Sequence, residues 1–160
     1  MPYSFFHSRF PKVAERETRS VTVYDPSEFN LPPADYAFLE MFCDEPDCDC
    51  RRVFFTVISS REDDVKAVIS WGWEDQVFYT KWIKDSDPDV IKELMGPILN
   101  IMSPQSAQAP ALLKLFQEVL LPDTAYIERI KRHYVMFRQT VDKKSKKKFR
   151  RRKGKIKRIK

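Results

Sequence analysis

The chain predicts an α+β fold: a four-stranded antiparallel meander followed by three helices packed on one face of the sheet. Three observations carry that expectation. Aromatic and β-branched residues alternate between about residues 35 and 83, apolar residues recur three and four apart after residue 87, and the strand-like runs all precede the helical ones. No internal repeat is visible.

Residues 1–17 mix Phe5, Phe6 and Phe10 with charges and keep no period, which reads as an irregular N-terminal arm able to pack its aromatic rings on the body. "TRSVTVY" (18–24) is a short strand, stopped by "DPSEFNLPP" with Pro26, Pro32 and Pro33. "DYAFLEMF" sets Tyr36, Phe38, Glu40 and Phe42 on one face and Ala37, Leu39, Met41 and Cys43 on the other, and it forms a hairpin with "RRVFFTVISS" across a cysteine-bearing loop. "VKAVISWGW" places Val65, Ala67, Ile69, Trp71 and Trp73 on one face. "QVFYTKWI" then returns as a further strand after a short "ED" turn. Trp71, Trp73, Phe78, Tyr79 and Trp82 suit a core better than a base-stacking platform, because they follow strand alternation in an acidic body.

Asp87 caps a helix over about 88–95 that begins at Pro88 and stops at Gly96-Pro97. Leu112, Leu115, Phe116, Val119 and Leu120 form the stripe of a second helix ended by Pro122. A third runs from about Thr124 to Asp142 on Ile127, Ile130, Tyr134, Phe137 and Val141. The organisation expected is an arm (1–17), one α+β domain (18–142) and a basic tail (143–160) that is disordered or helical.

Charge divides the chain sharply. Lys143 to Lys160 hold 13 of the 29 basic residues and no acid, so residues 1–142 keep 16 basic against 23 acidic residues, a net of −7 beside a tail of +13. Only three glycines are present, which leaves little backbone for a phosphate-cradling loop and argues against Walker-type and dinucleotide sites. No run approaches the roughly 18 apolar residues of a membrane span, and the opening residues lack the basic-then-apolar order of a secretion signal. A cytoplasmic protein with free or metal-bound thiols is the expectation.

All three cysteines fall within "FCDEPDCDCRR", in the pattern C-x4-C-x-C. Zinc takes thiolate and imidazole donors in a tetrahedron, and a turn containing Pro46 brings Cys43 back toward Cys48 and Cys50. The carboxylates of Asp44, Glu45, Asp47 and Asp49 oppose a lone thiolate and favour a cation, so zinc is preferred over plain burial and over thiol reactivity. The fourth donor is not local. Among the two histidines, His133 on the third helix is favoured over His7 in the arm, with an acidic residue or water as the other choices.

The run "FLEMFCDEPDCDCRRV", an aromatic strand followed by C-x4-C-D-C-R-R, resembles a segment of uncharacterised bacterial proteins. Some of those end in the small zinc knuckle named after its occurrence in the SecA translocase. The likeness covers residues 35–58, and this chain has no terminal cysteine knuckle. What the resemblance implies is a prokaryotic, metal-associated protein with no defined activity.

The tail offers Lys143, Lys144, Lys146, Lys147, Lys148, Arg150, Arg151, Arg152, Lys153, Lys155, Lys157, Arg158 and Lys160 to a polyphosphate partner. RNA is placed ahead of DNA because no element reads as a groove-reading helix. The functional expectation is a zinc-stabilised, non-enzymatic adaptor bound to nucleic acid through its tail, with a protein partner on the acidic body. The alternatives are a metal-dependent hydrolase using the cysteine site, or an interaction domain whose tail is only a targeting signal. Against an enzyme stands the absence of H-E-x-x-H and G-x-S-x-G patterns.

Overall fold

Period-two burial along residues 34–43 organises the sheet. In strand β3 (Ala34–Cys43) the side chains of Ala34, Tyr36, Phe38, Glu40 and Phe42 are buried, while Ala37, Leu39 and Met41 between them are half-buried. Antiparallel pairing carries this inner face across β4 (Arg52–Ser59) and β5 (Glu62–Gly72), where Phe38 faces Val57 and Glu40 faces Phe55, and these face Ala67 and Ile69 in turn. The structure, a computed structural model, describes residues 3–159; the side chains of residues 144–146, 148–149 and 152–159 lie outside that description.

The sheet has six strands, which corrects the four-stranded meander. β6 (Ile98–Leu99) joins the far edge of β5. At the opposite edge two short strands share β3 end to end: β1 (Tyr3–Phe5) pairs with Met41–Cys43, and β2 (Arg19–Val23) pairs with Ala34–Phe38. The chain between them folds out as α1 (Phe6–Arg9) and α2 (Pro11–Glu17). The arm expected to be irregular is therefore regular structure, while its aromatic rings pack on the body as expected: Phe6 lies in the core, stacked at 5.0 Å on Phe10 and edge-on at 6.0 Å to Phe42.

Two further expectations fail for identifiable reasons. "QVFYTKWI" is a helix, α4 (Gln76–Ile83), not a strand. Its aromatic and β-branched composition suits a strand, but the Asp75 carboxylate accepts the Phe78 N–H at 2.9 Å and starts a helical turn, and Tyr79 is then buried beneath Gly72. Val65 leaves the face of Ala67, Ile69 and Trp71 because the β4–β5 register shifts beyond Val57, so Ile58 faces Val65 instead of the next residue in phase.

Among the described residues seven helices stand where three on one face were expected. Helices α5 (Pro88–Met95) and α6 (Ala109–Leu115) follow the local signals, but α5 lies on the opposite face of the sheet from α6. A helical turn, α3 (Pro26–Phe29), replaces an expected loop, started by the Asp25 carboxylate accepting the Ser27 N–H at 2.9 Å. Asp87 caps α5 by accepting the Asp89 N–H at 3.0 Å, and α6 runs on through a π-type turn over Phe116–Leu120. Phe116 packs there against Phe55, 5.0 Å between ring centres, and against Phe38 and Trp71 at 6.3 Å. The last helix, α7 (Thr124–Ile159), continues through the basic segment, the helical one of the two forms expected for the tail. Its first half buries Tyr126, Ile130, His133, Tyr134, Phe137 and Val141, the three-and-four spacing of one face laid on the sheet.

Phe6→Ala is expected to destabilise the protein by about 3–5 kcal/mol, the cost of emptying a core aromatic site. Urea unfolding checks this. A cost near zero would mean that the N-terminal segment is an appendage after all.

Candidate metal centre

The last residue of β3 is Cys43, and the loop that follows must return the chain to β4 within eight residues. Two non-glycine residues in it, Asp47 (φ 60°) and Arg51 (φ 50°), adopt the left-handed conformation, which only surrounding contacts make tenable. Those contacts come from α7. Arg138, 7% exposed, donates to the carbonyls of Cys43 (2.7 Å) and Glu45 (2.8 Å) and to Asp142 (3.2 Å). The Tyr134 hydroxyl accepts the Arg51 N–H at 3.1 Å, and the Asp142 carboxylate accepts the Asp47 N–H at 3.4 Å. From the other side Ser4 of β1 hydrogen-bonds Asp44.

The result is convergence of Cys43, Cys48 and Cys50, whose sulfur atoms lie within 4.8 Å of one another. Cys43 and Cys50 are buried and Cys48 is half-buried. The three thiols do not titrate alike. Cys43 is drawn down to about 6, first by the hydrogen bond from Cys50, then by the Glu45 N–H, the Cys48 thiol and the Arg138 guanidinium. Cys50 is pushed up by its bond to Cys43 and by burial, and Cys48 is pushed up chiefly by burial. A single thiolate hub is thus readily formed, while removing the second and third protons puts like charges in contact. A dication offsets that repulsion and needs deprotonated sulfur, so this donor set suits a metal ion.

His133 does not belong to it, which corrects its placement as fourth ligand. Among the described residues the metal-ligating group contains the three cysteines alone. His133 is fully buried with both ring nitrogens engaged: Nδ1 lies 2.7 Å from Glu40 Oε1 and Nε2 lies 3.2 Å from Glu17 Oε2, and its ring stacks on Phe6 at 4.2 Å. A neutral imidazole donates through one nitrogen and accepts through the other, so both contacts are hydrogen bonds when a second proton sits on Glu40 or on the ring. Burial raises the Glu40 carboxyl above its ordinary value, opposed by the His133 hydrogen bond. Glu17 is held down to about 2, first by its hydrogen bond to Arg132 and then by His133. His7, the other imidazole, stacks on Phe5 at 4.8 Å.

Of the residues that build this region, Arg138 and Glu17 were not singled out from the sequence, and Tyr134 was read only as part of the third helix's apolar stripe. Glu40 had a usable signal: a carboxylate in phase with Tyr36, Phe38 and Phe42 sits on a core face and needs a partner there. In the basic segment Lys143, Lys147, Arg150 and Arg151 are exposed on α7. The side chains of Lys144, Lys146, Lys148, Arg152, Lys153, Lys155, Lys157 and Arg158, and the whole of Lys160, lie outside the described residues. No family model, curated protein or solved structure matches this chain.

His133→Ala is expected to cost about 3–5 kcal/mol in stability by leaving the buried Glu40 without its partner, while metal content per chain stays unchanged. Denaturant unfolding and metal analysis of the same preparation check both halves. Acid titration isolates Glu17. A carboxyl lowered in the folded state contributes stability above its ordinary value near 4.5, and loses it as the pH falls toward 2. The melting temperature of Glu17→Gln should lie below that of the wild type at pH 6, and the gap should close by about pH 2. Glu40, raised by burial, works with the opposite sign and cannot produce that loss.

Proposed function

We propose that this protein is a zinc-stabilised, non-enzymatic adaptor that holds nucleic acid through the basic half of α7. The observation that supports the reading most is the mechanical link between its two parts. Arg138 and Asp142 grip the cysteine loop, and the run of 13 basic residues begins at the next position of the same helix. Zinc held by Cys43, Cys48 and Cys50 would stiffen the loop on which that helix rests, with the fourth position taken by water or by a carboxylate of the acidic loop.

Residues 143–159 extend over about 25 Å of helix axis at 1.5 Å per residue. Phosphate contacts along such a segment release condensed counterions, giving affinity with little sequence preference that weakens steeply with salt. A continuous basic helix suits a duplex groove as well as single-stranded RNA, so the ground for placing RNA ahead of DNA falls away. The acidic body, net −7, repels phosphate and leaves a protein partner as its natural complement.

A second reading, a metal-dependent hydrolase, draws on one specific observation: three clustered protein donors leave a coordination position open, as catalytic zinc sites do. Bacterial origin remains part of the proposal on the likeness of residues 35–58 alone.

Cys48→Ser is expected to release zinc and lower the melting temperature, measured by metal analysis and thermal melts. Metal-free wild type of unchanged stability would remove the zinc reading. Deleting residues 143–160 should abolish binding to a labelled structured RNA and to a DNA duplex while the fold persists. For the full chain, affinity should fall by roughly 10³–10⁵ between 50 and 200 mM salt if 6–10 phosphates are contacted. Equal, salt-insensitive binding by both proteins would move the partner surface onto the folded body.

A further inference from the structure

The helices α6 and α7 cover one face of the sheet, and the other face is only partly covered. There α5 and the chain from Ile98 to Pro104 arch over one side of it and leave a cavity of about 620 Å³, within the roughly 300–1,000 Å³ range of small-molecule sites. Its lining is mostly apolar, with Phe5, Met41, Phe54 and Val68 from four strands, Leu94 from α5 and Ile98 from the arch, and it includes the neutral polar side chains of Thr56, Ser70, Asn100 and Ser103. Ile101 and Met102 stand 83% and 91% exposed beside it, and Met102 lines its mouth.

One cation lies in this apolar lining. Arg52, the first residue of β4, is 6% exposed, yet among the described residues it forms no ion pair with any carboxylate. Its Nε donates to the Leu94 carbonyl at 3.0 Å, Nη1 makes a 3.5 Å contact with the Tyr3 hydroxyl, and the guanidinium lies 5.4 Å from the Phe54 ring centre. The remaining donors of the fork have no protein partner among the described residues. Desolvating a guanidinium without a counter-charge is costly, and an apolar wall beside it gives nothing back. Glu93 also lines the cavity but is exposed and makes no ion pair with Arg52.

We infer that this cavity binds a small amphiphilic carboxylic acid, its carboxylate on Arg52 in the fork geometry that guanidinium offers, and its aliphatic or aromatic body against Met41, Phe54 and Val68. The occupant is a free acid of low molecular mass. The cavity volume under α5 and the arch suits a small molecule, and the buried cation, without a carboxylate partner among the described residues, sets the charge. The cavity adjoins the cysteine loop, since Arg52 follows Cys50 by two residues, but the inference does not rest on the function proposed for that loop.

The test uses the full-length protein carrying ¹³C-methyl methionine, titrated with decanoate and, separately, with decanol. Met41 and Met102 line the cavity and Met136 on α7 does not, so the Met41 and Met102 methyl signals should shift while that of Met136 stays in place. Decanoate should bind at least about ten-fold more tightly than decanol, as a charge-assisted hydrogen bond predicts. Arg52→Met should reduce decanoate to the affinity of decanol. Glu93→Gln, at an exposed position, should strengthen decanoate by removing a competing carboxylate.

If Arg52→Met does not fold, the decanoate–decanol contrast and Glu93→Gln decide the matter in folded protein. Equal affinity for the acid and the alcohol, weaker decanoate binding by Glu93→Gln, or shifts confined to Met136 would each overturn the assignment. So would methyl shifts at Met41 and Met102 that follow protein concentration without any acid, because the occupant would then be a second copy of the chain.

Discussion

The contact between His133 and Glu40 joins the middle of the sheet to the middle of the packed half of α7, and most of the molecule is arranged around it. Glu40 stands on the inner face between Phe38 and Phe42, where an unpaired carboxyl would be costly, and His133 meets it at 2.7 Å from one defined rotation of the helix. That rotation turns Phe137 onto Phe42, 5.7 Å between ring centres. One turn and a little further on it brings Arg138 to the Cys43 carbonyl. An apolar residue at either position would allow the helix to roll, since ring-to-ring packing alone tolerates several angles. Glu17 closes the same contact from α2, and the N-terminal excursion between β1 and β2 is thereby fastened to the helix it lies against.

From that geometry the cysteine loop acquires its shape. Hairpin loops with two left-handed non-glycine residues do not hold themselves, and here α7 supplies the missing partners through Tyr134, Arg138 and Asp142. Those contacts reach the loop from outside, so the approach of its three sulfurs does not rest on the loop's own residues alone. The electrostatics follow the same plan. A thiolate at Cys43 is supported by Arg138 and the surrounding thiols, whereas full deprotonation of the cluster calls for a cation. Two opposite fields therefore meet at one point of the chain: an acidic body ending at the cysteine loop, and a basic helix starting beside it.

The opposite face of the sheet is built on a different balance. Its strands present Phe54, Met41 and Val68 to a cavity rather than to a packed layer, and α5 covers only part of that surface. Residues that look redundant in a sheet-and-helix domain, the β6 turn and the arch through Pro104, are what convert an open face into a half-covered cavity.

Much of this was legible in the sequence, for reasons that are local. Alternation predicts β3, β4 and most of β5 because side chains point to opposite faces of a strand, and the Asp87-Pro88 start and Gly96-Pro97 stop of α5 are chemical signals acting within a few residues. That Cys43, Cys48 and Cys50 can meet is legible in their spacing within a single loop, although the contacts that hold them together come from α7. Other features were beyond local reading. "QVFYTKWI" has strand composition but a helical cap, and the cap prevails because Tyr79 finds its burial site only when the segment coils. Residues 3–17 lack a period because two short helices interrupt one edge of the sheet, and their order comes from β3 and α7, far away in the chain. His133 could be assigned neither to the sulfurs nor to Glu40 from spacing. Ninety-three residues separate it from its carboxylate partner, and which of two distant groups an imidazole meets is decided only when the helix is laid on the sheet.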